Sequence, residues 1–502
     1  MKYFSKTQYC DFWQCPKMLW LRQNCPEKMS VDENARFRMD TGKNVGAYAR
    51  NIFGEYVDVT VCEGACLDIN KMLEKTRTEI EKGTPIICEA SFEYSGMYCA
   101  VDILRKEDEG WSIYEVKSST DPNKSVYMAD IAYQKYVLQK CGINIKSTNI
   151  IFINNEYILE DELNINELFN IKNVDDEIKQ EEILLQKNIL FARQISSALK
   201  EPDIDISERC QNPYKCGFWE YCTSHIPSPS VFNLYRMKFK KKIDFYKKGI
   251  VSFNDLSDNP DIKNEKQKRQ IKYHLEDKGT YINKRGIENF LDELSFPLYF
   301  LDFETVQYAI PKYTGTKPYQ QIPFQYSLHY LDKRDGELMH KEFLAEIGTD
   351  PRKTLAERLC NDIPEDVCII AYNKSFECDV IKNLASIYSE LASQLLNIES
   401  NIKDLLLPFQ KGYYYNSLMG GSFSIKSVLP AIFPNDKSLD YKNLEGVQNG
   451  SEAMYIFHTL EYMNEGEQQI ARKNLLKYCE LDTYAMVKIW HELRRVAGRA
   501  IC

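Results

Sequence analysis

The chain has 502 residues, 44% of them hydrophobic, and a formal net charge of −9. That length holds two or three domains with cores of their own, and no apolar run approaches a membrane span. The acidic balance excludes a protein that coats nucleic acid over its whole surface, but leaves room for a local basic groove. No apolar stretch of the secretory kind follows Met1 to Lys6, so a cytoplasmic protein is expected. The sixteen cysteines are accordingly read as reduced thiols, a subset of them metal ligands.

In the first part, residues 1–225, Ser5 caps a short helix and Pro16 fits the first turn of the next. Asp32 to Phe53 and Lys71 to Lys82 are expected as helices. Pro85 to Tyr94, Met97 to Arg105 and Trp111 to Ser118 read as strands joined by short polar turns containing glycine. A helix from Lys124 to Cys141 and a strand from Thr148 to Ile153 follow. Asp102 falls on the middle strand, and Glu115 and Lys117 share one face of the next, with Val116 turned to the core. Gln134 lies on the following helix. Two carboxylates can hold a divalent cation, and a lysine beside them steadies negative charge as it develops. The plain alternative is an ordinary cross-strand acid–lysine pair. Glu89, on the first strand, is a further acid for such a metal, with Glu93 competing for the role.

Cys210, Cys216 and Cys222 are evenly spaced in a loop containing proline and glycine, and look like a metal clip short of one ligand. Cys15, just before Pro16, is the expected fourth. Thiolates suit zinc as well as iron–sulfur clusters. Cys62, Cys66, Cys88 and Cys99 read as scattered buried cysteines.

Residues 226–293 begin at a proline/serine boundary and carry two lysine-rich clusters, from Lys238 to Lys248 and from Lys263 to Lys272. Tyr246 to Leu256, between them, resembles the turn of a helix-hairpin-helix motif, whose backbone amides can hold a phosphate. A solvated helical spacer is the alternative.

The third part, residues 294–502, opens on an apolar strand ending in Leu301-Asp302-Phe303-Glu304-Thr305. Asp302 and Glu304 share one face of it. Two carboxylates at the end of a buried strand call for a cation, and hard divalent ions with oxygen ligands supply it. Strands follow at Pro323 to Leu331 and Glu337 to Ala345, then a helix from Lys353 to Asp362 and a strand from Val367 to Tyr372. Glu377 begins the next helix. Tyr478 and Asp482 are four residues apart, so they share a helix face. Asp404 to Phe409 and Gly420 to Lys426 are expected as strand and loop edges of the same cleft, with Lys426 toward phosphate.

The order of elements carrying Asp102, Glu115-Val116-Lys117 and Gln134 resembles the PD-(D/E)XK nuclease core, specifically its RecB-like branch. It departs from that branch in lacking a histidine near Gly42-Lys43-Asn44-Val45-Gly46. The cysteine arrangement is similar to that of RecB-like nucleases with an iron–sulfur cluster, including the CRISPR-adaptation nucleases. That likeness implies a 4Fe-4S cluster on Cys15, Cys210, Cys216 and Cys222, with zinc as the alternative. The series Asp302-x-Glu304, Asn373-x-x-Phe376-Glu377 and Tyr478-x-x-x-Asp482 resembles the DnaQ-like DEDD exonucleases of the RNase H-like fold. The tyrosine points to the DEDDy subgroup.

That second resemblance implies that Asp302, Glu304, Glu377 and Asp482 hold two Mg²⁺ or Mn²⁺ ions, while Tyr478 positions the attacking water. Glu377 stands where the family usually has aspartate, and Asp379 is a nearby substitute. The combined pattern resembles a family of bacterial fusion proteins known chiefly as a domain of unknown function. The implied protein is α/β, with a restriction-endonuclease-like domain over 1–225, a basic connector over 226–293 and an RNase H-like domain over 294–502. Its implied function is a two-site, metal-dependent nuclease on single-stranded DNA or DNA ends, with 3′-to-5′ exonuclease activity in the C-terminal part. RNA is a further substrate class. The alternative is a non-catalytic or weakly catalytic nucleic-acid-binding adaptor in a defence or repair assembly.

Overall fold

The computed structural model describes residues 3–30, 35–64 and 66–499; the expected helix start at Asp32 lies outside them. The chain is mixed α/β and divides into two compact units, 1–225 with 308–320 and 226–307 with 321–502. The segment 226–293, expected as a connector, is therefore part of the second unit. Its apolar residues Val231, Leu234, Phe245, Phe253, Leu256 and Ile271 form a core cluster, and a solvated spacer would have none. Residues 308–320 join the first unit because they bond into it. The Tyr319 hydroxyl donates to the Ser118 carbonyl at 2.8 Å, and the Gly315 and Leu159 amides exchange bonds at 2.7 and 3.0 Å with Leu159 and Thr316 carbonyls.

In the first unit, Ser5 and Gln8 form a reciprocal capping box that starts the helix Lys6–Gln14, and Pro16 opens the helix Pro16–Asn24. The sheet runs in the order Val57–Asp58, Ile86–Tyr94, Met97–Glu107, Gly110–Lys117, Ile145–Ile153 and Phe169–Asn173, with Phe4–Ser5 beside Met97–Glu107. The turn Ser95-Gly96 has φ of 51° and 80°, the left-handed pair that a two-residue hairpin needs. Gly110–Lys117 and Ile145–Ile153 pair in parallel, and the helix Ser125–Lys140 makes the crossover between them. Four helices, Lys6–Gln14, Pro16–Asn24, Ser125–Lys140 and Lys179–Ser196, bury Tyr9, Leu19, Tyr133 and Leu185 in one cluster with sheet residues such as Val101.

The second unit has a five-stranded sheet in the order Met339–Leu344, Ile322–Leu331, Leu298–Val306, Cys368–Ala371 and Ile402–Asp404. The first three strands are antiparallel and the last two join in parallel. The central strand alternates as its sequence requires. Tyr299, Leu301 and Phe303 pack with the helices Arg352–Asp362, Ser375–Ile387 and Ala392–Ser400. Phe300 turns the other way, its ring 5.8 Å from that of Trp490 on the helix Glu465–Val496. Asp302 and Glu304 follow Phe300 on that face.

The phosphate-holding turn expected at Gly249 is not available for that role. The helices Phe239–Lys247 and Phe253–Leu256 do flank Gly249, which has φ of 73°. However, the Val251 and Ser252 amides donate to the Asp255 carboxylate at 3.0 and 2.7 Å. That side chain already fills the anion's place. Among the described residues, no helix is long and apolar enough to cross a membrane.

Candidate functional site

In the second unit, three separated stretches bring four acids together. Asp302 and Glu304 come from the central strand, Glu377 from the first turn of the helix Ser375–Ile387, and Asp482 from the helix Glu465–Val496. One carboxylate oxygen each from Asp302, Glu304 and Asp482 lies within 4.8 Å of the others. Glu377 is 2% exposed and its Oε2 is buried without a hydrogen-bond partner. Burial, then mutual repulsion, lifts Asp302 and Glu304 well above the carboxylate range. Burial, with Asp404 and Asp482, pushes Glu377 up to about 8. Asp482 is pushed up by burial to about 6, against the pull of Tyr441 and Lys426. These are the marks of negative charge packed without enough compensation. Asp379 is exposed and, unlike Glu377, lies outside this group.

The groups around the acids were only partly expected. Tyr478 is buried beside Asp482, and burial and the acids hold its hydroxyl far above the usual tyrosine range. Tyr441, which no motif marked, donates to Asp482 Oδ1 at 2.6 Å. Lys426 is on the helix Ile425–Ile432 rather than in a loop. Its Nζ lies 5.1 Å from the Tyr441 ring centre and 5.3 Å from that of Tyr478, and donates to the Gln448 carbonyl at 3.0 Å. A Cβ at Gly450 would stand 3.4 Å from Glu304 Oε2. The helix Gly450–Thr459 therefore starts against that carboxylate with its positive end.

In the first unit, Asp102, Glu115, Lys117 and Gln134 also meet, joined by two residues that sequence reasoning missed. Lys117 Nζ donates to Glu115 at 2.7 Å and to Asp130 at 2.8 Å. Gln134 Nε2 donates to Glu115 at 2.8 Å and to Asp130 at 3.0 Å. Lys6, on the first helix, reaches Glu115 at 3.1 Å and Asp102 at 3.9 Å. Asp102 also accepts the Val116 amide at 2.7 Å. Burial opposes charge on both lysines, yet the surrounding acids raise both above the usual lysine range. Burial likewise works against Asp130, but Lys117 and Lys6 hold it below the usual carboxylate range. Glu115 is pushed up to about 7 by burial and by Asp102 and Asp130.

Val116, expected in the core, is only half-buried, whereas Glu115 is 3% exposed. The reason is that the helices bearing Lys6 and Gln134 cover the face of the charged residues. Glu89 stands opposite Asp102, between the pairs Cys88–Ile103 and Ala90–Val101. Its φ of 56° is unusual for a residue with a side chain. Arg50 holds it at 2.8 Å. Glu93 accepts the Gly96 amide at 2.6 Å and so belongs to the hairpin turn.

Cys15, Cys210, Cys216 and Cys222 line one pocket with Met18 and Phe218. Burial pushes the Cys216 and Cys222 thiols up to about 11, and the neighbouring thiols add to it. Cys10 lies elsewhere, among Asp130, Lys117 and Lys6. The fifteen described cysteines are all free thiols. Cys88 and Cys99 are buried as expected, but Cys62 and Cys66 are exposed, because their two-residue strands pair only with each other.

A family model described as a domain of unknown function, DUF2779, matches residues 299–424. The chain is 27% identical over 241 residues to the uncharacterized protein MG366 of Mycoplasma genitalium, covering 44% of this chain and 36% of that one. The MG366 homolog of Mycoplasma pneumoniae is 27% identical over 206 residues, 38% of this chain and 31% of that protein. The uncharacterized protein UU173 of Ureaplasma parvum is 27% identical over 244 residues, 44% and 34% of the two chains. The matched segment thus spans about a third of these curated relatives. No solved structure matches.

Proposed function

We propose that the second unit is a DEDDy-type 3′-to-5′ exonuclease domain with an RNase H-like fold, acting on single-stranded DNA or DNA ends. The supporting observation is the acid cluster itself, with one Glu377 oxygen buried and unpartnered. An all-carboxylate set of this kind suits Mg²⁺ or Mn²⁺. Ions held by Asp302, Glu304, Glu377 and Asp482 would supply the positive charge that activates water and stabilises a phosphodiester under attack. The chain's own residues hold that machinery in place. Tyr441 fixes Asp482 through its hydroxyl, and Tyr478 orients the nucleophile. Lys426 stands where it can meet phosphate charge. The test is digestion of 3′- and 5′-end-labelled single-stranded DNA with Mg²⁺ or Mn²⁺. Shortening from the 3′ end that EDTA and Asp302→Ala abolish is expected; intact DNA under all conditions would sink the reading.

For the first unit we infer a RecB-like PD-(D/E)XK domain whose start and end are tied together by a 4Fe-4S cluster on the four cysteines. What supports this reading is that Cys15, from the start of the chain, lines one pocket with Cys210, Cys216 and Cys222. Protein purified without oxygen is expected to be brown and to contain iron and sulfide; stoichiometric zinc without sulfide overturns the assignment. A second reading, that this unit binds DNA ends without cutting them, is favoured by Lys6. Its ammonium already lies against Glu115 and Asp102.

A further inference from the structure

Two residues before Asp482, the helix Glu465–Val496 carries Glu480, which the acid cluster does not use. Across from it, His329 and His340 face each other on the neighbouring strands Ile322–Leu331 and Met339–Leu344. Their ring centres are 4.5 Å apart. One nitrogen from each histidine and one oxygen from Glu480 lie within 4.8 Å of one another.

The hydrogen bonds around these rings admit an assignment of protons that leaves one nitrogen of each ring unprotonated. In it the Thr483 hydroxyl donates to the Glu480 carbonyl at 3.1 Å and accepts from its other two partners. Those are the Ser327 hydroxyl at 2.7 Å and His329 Nδ1 at 2.8 Å. Ser327 has then given its proton to Thr483, so it accepts from His340 Nε2 at 3.0 Å. In this arrangement both rings carry their protons on the nitrogens that face Ser327 and Thr483. His329 Nε2 and His340 Nδ1 keep their lone pairs, the form in which imidazole binds a metal. Hydrogen bonds of this kind, on the second nitrogen of each ring, are what orient metal-binding histidines.

We propose that His329, His340 and Glu480 form a second metal site in this unit, for a zinc-class transition ion. Two imidazoles and one carboxylate suit such an ion, whereas Mg²⁺ takes oxygen ligands. The site therefore selects a different metal from the acid cluster, and it stands whether or not that cluster cleaves phosphodiesters. Glu342 lies two residues after His340, on the same strand face. The ion's role is positioning: it fastens the outer strand pair to the helix that presents Asp482.

The test is titration of the full chain, purified without oxygen and kept in excess Mg²⁺, with Co²⁺ followed by absorption. The expected result is one equivalent of cobalt with weak visible bands and no thiolate charge-transfer band. That signal is expected to disappear in His340→Ala and in Glu480→Gln, whose side chain is exposed. It is expected to persist in Cys210→Ser and in Asp302→Ala. Ser327→Ala, which removes the partner that orients His340, is expected to weaken cobalt binding about tenfold. Circular dichroism confirms that each variant is folded. Three outcomes overturn the proposal: no such cobalt binding by the parent, its retention in Glu480→Gln, or its loss in folded Asp302→Ala.

Discussion

In the first unit, Asp102, Glu115 and Asp130 meet two ammonium groups, Lys6 and Lys117, brought in from a helix and from the same strand. In the second, Asp302, Glu304, Glu377 and Asp482 meet Lys426 at an exposed edge and the hydroxyl of Tyr441. The electrostatics separate in part: in the first cluster Asp130 is held low while Asp102 and Glu115 are pushed up, whereas all four acids of the second are pushed up. The first cluster thus carries its own counter-charge. The second is left needing protons or cations from solution. Buried carboxylates are costly in either case, and the two units meet that cost in different ways.

The largest expected effect comes from removing Asp302 from the second cluster. Asp302→Ala is expected to lower 3′-to-5′ cleavage by at least about 10²–10³-fold, the scale for losing one preorganised electrostatic group. Cleavage at the parental rate, with Lys117→Ala disabling the first unit, would break the contrast. Lys6→Ala tests the other side. Leaving Glu115 and Asp102 without their ammonium is expected to destabilise the first unit by about 3 kcal/mol, the low end for breaking a buried pair. Added Mn²⁺ is expected to recover much of that loss in thermal melts, since a cation can take the vacated place. Unchanged stability in Lys6→Ala would show that the lysine is not a counter-ion.

The pH dependence contributed by Asp130 should differ in sign from that of the acids pushed up in both units. Acids raised on folding bind more protons folded than unfolded, so they destabilise as pH rises between the two values. Without divalent ions, the second unit is expected to lose stability from about pH 4.3, the ordinary glutamate value, up to about 8, where Glu377 titrates. Mn²⁺ is expected to flatten that decline, and more strongly at pH 8 than at 6. Asp130 contributes the opposite way: its stabilisation is present above about pH 3.9 and is lost as pH falls below that. Melting temperatures across this range, with Mn²⁺ and with EDTA, check both signs.

Smaller effects grade the surroundings. Tyr441→Phe removes a hydrogen bond to a carboxylate, worth about 2 kcal/mol, and is expected to shift the pH–rate profile upward because Asp482 loses a donor. Tyr478→Phe is expected to slow cleavage with metal affinity unchanged. Asp379→Ala is expected to change neither, while Glu377→Asp alters the preference between Mg²⁺ and Mn²⁺. Essential Asp379 with dispensable Glu377 would mean that the wrong acid has been placed in the cluster.

Local order in this protein is set by neighbouring residues, and the sequence alone determines it. Period-two alternation places Leu301 and Phe303 opposite Asp302 and Glu304. Ser95-Gly96 makes a two-residue turn, and Ser5 with Gln8 closes a cap. Much of both acid clusters, though not Asp130, could be named for the same reason, because Asp302-x-Glu304, Glu115-x-Lys117 and Tyr478-x-x-x-Asp482 each lie within one strand or one helical turn.

What only the tertiary structure decided is which distant groups complete those clusters. Lys6 meets Glu115 across 109 residues of chain, Tyr441 meets Asp482 across 41, and His329 meets Thr483 across 154. No spacing encodes such meetings, because they depend on how helices settle on a sheet once apolar faces have packed. The same packing drew 226–293 into the second unit and 308–320 into the first. Asp255 satisfying the turn amides near Gly249 belongs to this class too: the side chain is four residues from Val251, but only the folded backbone turns it inward. Whether a carboxylate ends beside a lysine or beside another carboxylate is a property of the assembled core, and that neighbour sets its charge.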